Sequence, residues 1–225
     1  KKSEFISNQF IQDLYRFYKL FPRRTGIDDI FSWRFDFHNK EALSDILKED
    51  PKVLRNIAEY YFAKNYFEEA KEIYLVFLDE DQNGELHQKI AFCYQKLGNF
   101  EKALDAYLKA ELYDLNRLWN LKKIALCYRN LKQPDKALEY YKAAEALDPE
   151  NLNIQLNIGH CLLELGRFED ALKCYFKVEY LNPENKKVWR PIGWCSFLTG
   201  KKGQAEKYFA KLIDDDPTKH DYMNM

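Results

Sequence analysis

The chain has 225 residues, 35 of them basic and 36 acidic, for a formal net charge of −1. Nothing in that balance pulls the whole chain toward nucleic acid or an acidic membrane. No run of 18 apolar residues occurs, so no membrane-spanning helix is coded.

From the start, Phe5 to Phe21 has a helical pattern, with Phe10, Leu14, Phe17 and Phe21 on one face and Pro22 ending it. Residues 31 to 38 then alternate strictly, Phe31, Trp33, Phe35 and Phe37 against Ser32, Arg34, Asp36 and His38. That is an extended, period-two pattern with no second strand-like run to pair with. Two readings stay open: an irregular stretch whose rings seal the N-terminal end of a helical stack, or an extended segment lying across a groove. Ala42 to Leu47 reads as a short helix leading into Pro51. We therefore separate residues 1–50, a helix plus an aromatic capping segment, from the rest.

From residue 51 onward one pattern recurs. Ala70, Ala103, Ala137, Ala171 and Ala205 stand 33 or 34 residues apart. Thirteen positions before each is an isoleucine (Ile57, Ile90, Ile124, Ile158, Ile192), followed by Ala58, Ala91, Ala125, Gly159 or Gly193. Four positions after each alanine comes a ring: Tyr74, Tyr107, Tyr141, Tyr175, Phe209. The last three units close with Asp148-Pro149, Asn182-Pro183 and Asp216-Pro217, whereas Gln82 and Leu115 replace the proline in the first two. A period of this length means stacked helical units, each needing only its neighbours for a core.

The third unit shows how each divides into two helices. Leu121, Ile124, Ala125 and Tyr128 follow the i, i+3, i+4, i+7 spacing of an amphipathic helix. Asn130 to Gln133 turns the chain, Pro134 opens a second helix, and Ala137, Leu138, Tyr141 and Ala144 line its buried face. Small residues at the crossing let the backbones approach, and the ring one turn on fills the space beside it. The units are expected at 51–83, 84–117, 118–151, 152–185 and 186–219, with 220–225 starting a further helix. Opening on Lys1-Lys2-Ser3 and stopping there is what a segment of a longer protein would show, and an upstream targeting signal is compatible with it.

The combination of large, small, aromatic and proline positions at 34 residues resembles the tetratricopeptide repeat (TPR), over residues 51–219. The fifth unit carries it most fully, in Trp189, Ile192, Gly193, Gly200, Ala205, Phe209 and Pro217. The resemblance implies an all-α fold, a right-handed superhelical solenoid of antiparallel helix pairs whose first helices line a concave face.

Four cysteines, Cys93, Cys127, Cys161 and Cys195, ride the same ladder. Equivalent points on stacked helices lie roughly 8–10 Å apart, beyond the ~7 Å that a disulfide tolerates. They read as small buried residues of a reduced, cytoplasmic core, and Cys174 leaves the count odd. No metal site, cofactor loop or catalytic triad is suggested, so no enzyme is expected.

The open inner row is expected at Glu59, Phe92, Leu126, His160 and Trp194. Rows at Arg55, Gln88, Lys122, Leu156 and Arg190, and at Phe62, Gln95, Arg129, Leu163 and Phe197, flank it. Some relatives clamp a C-terminal carboxylate with Asn, Lys and Arg in these rows; the central row here has no Asn, which disfavours that use. The candidate binding residues are Arg55, Phe92, Lys122, Leu126, Arg129, His160, Leu163, Arg190, Trp194 and Phe197. An apolar floor edged by cations suits a peptide or helix with hydrophobic anchors and some acidic character. His160 reads as a hydrogen-bonded bystander. Pro191 allows either a kinked helix that tilts Trp194 and Phe197 or a helix that begins late. A non-catalytic protein-binding scaffold leads, ahead of a structural spacer with a self-filled groove; an RNA-binding helical repeat is less favoured by the near-neutral charge.

Overall fold

The computed structural model describes Gln9, residues 51–80 and residues 83–215, and every regular element among them is helical. The readings for residues 1–50, for Gln82, for Asp216-Pro217 and for residues 220–225 lie outside these, Gln9 apart. Contacts divide the chain into two compact units, 1–106 and 107–225.

The first unit contains α1 (Pro51–Ala63), α2 (Phe67–Glu80), α3 (Gly84–Lys96) and the start of α4 (Phe100–Glu111). On α1 the buried residues are Leu54, Ile57, Ala58 and Tyr61, and on α2 they are Ala70, Ile73, Tyr74 and Phe77. Both sets have the i, i+3, i+4, i+7 spacing of one helix stripe, and that stripe makes the core. Asn83 starts α3 by accepting from the Leu86 N–H at 2.8 Å. Lys89 on α3 reaches Glu59 of α1 at 2.6 Å and Glu85 at 2.8 Å. Burial alone would pull the Lys89 ammonium down, and the hydrogen bonds of the two carboxylates more than reverse this, so it is raised.

The second unit continues from the end of α4 through α5 (Arg117–Asn130), α6 (Pro134–Leu147), α7 (Leu152–Glu164) and α8 (Phe168–Leu181). A 3-10 turn (Lys186–Val188), α9 (Trp189–Leu198) and α10 (Lys202–Asp215) complete it. From α5 to α10 each helix packs against the next. Pro134 is the first residue of α6, and Ala137, Leu138, Tyr141 and Ala144 are its buried set, as the sequence predicts. Gly159 and Gly193 mark the tightest crossings. A Cβ at Gly159 would lie 2.6 Å from Tyr175 Cε1, and one at Gly193 would lie 2.7 Å from Phe209 Cε1. The ring thus occupies the volume that any larger residue needs.

The turn from first to second helix is one motif in every hairpin. Gly98, Gly166 and Gly200 have φ of 79°, 73° and 77°, and Asn65 and Lys132 hold the same place at 66° and 57°. In each case the residue after it donates its N–H to a carbonyl five positions back, as Gln133 does to Tyr128 at 2.9 Å and Arg167 to Leu162 at 2.8 Å. These are Schellman closures, which want a left-handed residue.

Two places differ from expectation or resolve it. Where Leu115 stands for proline, α4 unwinds through Leu112→Lys109, Tyr113→Ala110 and Asp114→Glu111 N–H bonds. Left-handed Asp114 and Asn116, at φ 50° and 47°, then redirect the chain. Lacking a proline, the end of this helix is held from outside it: the Asn120 side-chain amide on α5 donates to the Tyr107 carbonyl at 3.0 Å. Pro191 is the third residue of a helix that begins late, after the 3-10 turn. There its missing N–H leaves no gap in the ladder, so no proline kink is needed.

Candidate functional site

Among the described residues, the four ladder cysteines and His160 are held in quiet states. Burial pushes the Cys93 and Cys127 thiols up to about 12, and those of Cys161 and Cys195 up to about 11. All four are buried and unpaired, and at neutral pH they stay protonated. Burial, and then the Arg129 charge, bring His160 down to about 4, so its ring is neutral. Its Nδ1 shares a 3.0 Å hydrogen bond with the Tyr175 hydroxyl. Among the described residues no three His, Cys, Asp or Glu side chains gather where they could hold a metal ion. No helix among them is long and apolar enough to cross a membrane.

The ten candidate binding residues divide between the units. In the first, Phe92 lies 5.4 Å from the Phe62 ring and 5.8 Å from Phe67, with the Lys96 ammonium 5.3 Å from its centroid. Arg55 is exposed, its guanidinium 5.1 Å from the Phe77 ring. Gln88, expected on an open row, is only 7% exposed. Leu86 and His87 beside it are buried as well, so the start of α3 is enclosed on more than one face.

In the second unit the remaining eight occupy equivalent turns of α5, α7 and α9. Lys122, Leu126, Leu163 and His160 are half-buried. Arg129 is also half-buried and ties α5 to α7, donating to Asn157 at 2.8 Å and lying 3.3 Å from Glu164. On α9 the picture changes, because Arg190 is exposed and Trp194, Phe197 and Leu198 are 37%, 52% and 50% exposed. Trp194 is braced edge-on by Phe197 at 6.0 Å and by Phe209 at 6.1 Å. A braced ring is presented in one orientation and loses little freedom on contact.

Sequence reading missed Leu198 as part of this patch, and missed the Asn157–Arg129–Glu164 bridge. The signal for the patch lay two residues past the left-handed turn. Second helices begin with Phe67, Phe100, Pro134 or Phe168, but α10 begins with exposed Lys202. The ring that packs on Phe62 and Phe92 in the first unit is replaced there by a solvated amine.

Tetratricopeptide-repeat profiles match residues 93–151 and 130–189 of the chain. Residues 93–189 belong to the tetratricopeptide-repeat superfamily. Solved structures of the same fold include YrrB, described as a TPR protein with an unusual peptide-binding site. It shares 20% identity at a TM-score of 0.69, over 81% of this chain and 96% of that one. MamA aligns at a TM-score of 0.65 and 21% identity, over 70% and 93% of the two chains. A MamA fragment from Desulfovibrio magneticus RS-1 reaches 0.68 at 19% identity, over 74% and 97%. No curated protein sequence matches this tetratricopeptide chain. At these identities the likeness is one of fold.

Proposed function

We propose that this tetratricopeptide chain is a non-catalytic interaction scaffold, and that α5, α7 and α9 hold a peptide or helix through hydrophobic anchors. The observation that carries the reading is the Trp194–Phe197–Leu198 patch: three large apolar side chains left open on one helix, one of them braced from two sides. Contiguous exposed apolar surface marks interaction sites, and aromatic side chains with arginine dominate their energetics. Arg190 stands one helical turn before Trp194 on the same helix. That the structural neighbour YrrB is described as having a peptide-binding site agrees with this use of the fold.

Selection from a random peptide library against the 225-residue chain tests it. Enriched peptides should carry paired large apolar residues, and Phe197→Ala with Leu198→Ser should abolish their capture while Tm moves by less than about 3 °C. No enrichment, or capture indifferent to both substitutions, would leave the array as a structural spacer.

A further inference from the structure

The net charge of −1 conceals a segregation by layer in the second unit. Helices α5, α7 and α9 carry Arg117, Lys122, Lys123, Arg129 and Arg190 against a single acid of their own, Glu164, which pairs with Arg129, while Arg117 lies 3.9 Å from Asp114 just before α5. Their partners α6, α8 and α10 carry seven basic and nine acidic residues. The excess is also uneven along the row. Four of the five cations are on α5, which has no acid; α7 contributes half-buried Leu156 and Leu163; the exposed rings are on α9.

We propose that the occupant of this face is a two-part peptide, with an acidic block over Lys122 and Lys123 of α5 and an apolar pair on the Trp194–Phe197–Leu198 patch of α9. This rests on the scaffold reading and adds the chemistry and spacing of the partner. Equivalent points two hairpins apart are about 16–20 Å from one another, which an extended chain covers in about five or six residues at ~3.3 Å each. The intervening stretch crosses the aliphatic side chains of α7 and needs no charge. Single-stranded RNA is disfavoured because the open rings, Trp194 and Phe197, are confined to α9, so successive bases would find no run of stacking faces along the row. Trp119, Tyr128 and Trp189 already lie under Lys123, Lys136 and Lys211 at 5.2, 5.5 and 5.4 Å. Leucine offers no stacking face for a base.

The test uses fluorescein-labelled synthetic peptides and the 225-residue chain, read by anisotropy. The parent peptide has three acidic residues, a six-residue Gly/Ser spacer and a Leu-Phe pair. Replacing its acids by lysine should weaken binding at least tenfold at 50 mM salt, and raising salt to 500 mM should remove most of that difference. Cutting the spacer to one residue should also cost about tenfold. Lys122→Glu with Lys123→Glu should invert the preference between acidic and lysine peptides, with circular dichroism unchanged.

If peptides with the apolar pair bind equally with acidic, neutral or basic blocks, the charge inference fails and the scaffold reading stands. If affinity ignores spacer length, the two-part arrangement fails. If no peptide binds at all, the scaffold reading fails first. A labelled uridine dodecamer that binds and is lost in the Lys122/Lys123 variant would overturn the choice of a peptide.

Discussion

The two units place aromatic residues at the same repeat positions and do different things with them. In the first, Phe62 near the end of α1 meets Phe67 at the start of α2 at 5.9 Å, and Phe92 on α3 joins them. All three are half-buried. In the second, Phe197 and Trp194 stand at the positions of Phe62 and Phe92, but Lys202 replaces the ring of Phe67, and Phe197 is left more than half exposed. The difference shows that an open face in a repeat array need not come from the residues that compose it. The residue that opens the second helix is one contributor, beside the next first helix, which supplies Phe92 after α1 and would follow α9 in residues outside those described.

That comparison presumes a common core beneath the two surfaces, and the largest effects should come from testing it. Tyr74 in the first unit and Tyr175 in the second are both fully buried on the same rung. Tyr74→Ala and Tyr175→Ala should each cost about 3–5 kcal/mol in urea melts. If either cost under about 1 kcal/mol, the units would not share a core, and their surfaces could not be compared position by position.

Exchanging the covering residue comes next. Phe67→Lys should destabilise the chain by about 1–3 kcal/mol, because it uncovers Phe62 and Phe92 together. The reverse change, Lys202→Phe, should gain about 0.5–1 kcal/mol through the aromatic contact and weaken peptide capture by Phe197. Thermal melts and anisotropy read the two consequences separately. A Lys202→Phe chain that captured peptide as before would show that the open patch arises elsewhere.

Much of this array was legible because the core of each hairpin depends on local spacing. Ile57, Ala58 and Tyr74 recur as Ile158, Gly159 and Tyr175, and all are buried. The surface was less legible, since exposure is decided by partners that are distant in sequence. Gln88 looked open by register and is enclosed. Arg129 looked like an edge cation but hydrogen-bonds Asn157 and ion-pairs with Glu164, 28 and 35 positions on. Pro191 could be placed only once the 3-10 turn before α9 was seen. Net charge misled in the same way, because it averages over layers that face different surroundings.

Acid should separate the units. His160 is brought from 6.5 to about 4 by burial and by Arg129, while its neighbours Tyr175 and Glu164 share that cluster. The folded chain therefore binds fewer protons here than the unfolded chain between those values. Stability from this site is complete above pH 6.5 and falls as pH drops toward 4, by about 1–3 kcal/mol. The first unit has Glu59 and Phe92 at the equivalent positions, and α1 and α2 carry no histidine; its buried histidine, His87, stands on α3. Its Glu85 is held below 4.5 by the Lys89 hydrogen bond, so that contribution begins to fade only below pH 4.5. Hydrogen exchange at pH 5.5 should show α7 and α8 loosening before α1 and α2. His160→Leu, which copies Leu126 on α5, should flatten the dependence between pH 6.5 and 5. Loosening of α7 and α8 at pH 5.5 that persisted in His160→Leu would remove His160 as the cause.

The smallest effect concerns the turn both units share. Three of its five left-handed positions are glycine, one is asparagine and one is Lys132. An ordinary L-residue in that conformation costs roughly 1–2 kcal/mol from the approach of its Cβ to the following carbonyl. Glycine removes the clash but adds freedom to the unfolded chain, which returns part of the gain. Lys132→Gly should therefore raise stability by about 0.5–1 kcal/mol, and Gly166→Lys should lower it by a similar amount. Lys132 is exposed, and no ion pair of its ammonium is seen among the described residues, so little else should change. If both substitutions left the denaturation midpoint where it was, the turn would tolerate side chains that its φ angle should penalise. The Schellman closure would then contribute less to hairpin geometry than the packing of Ala137 and Tyr141 beside it.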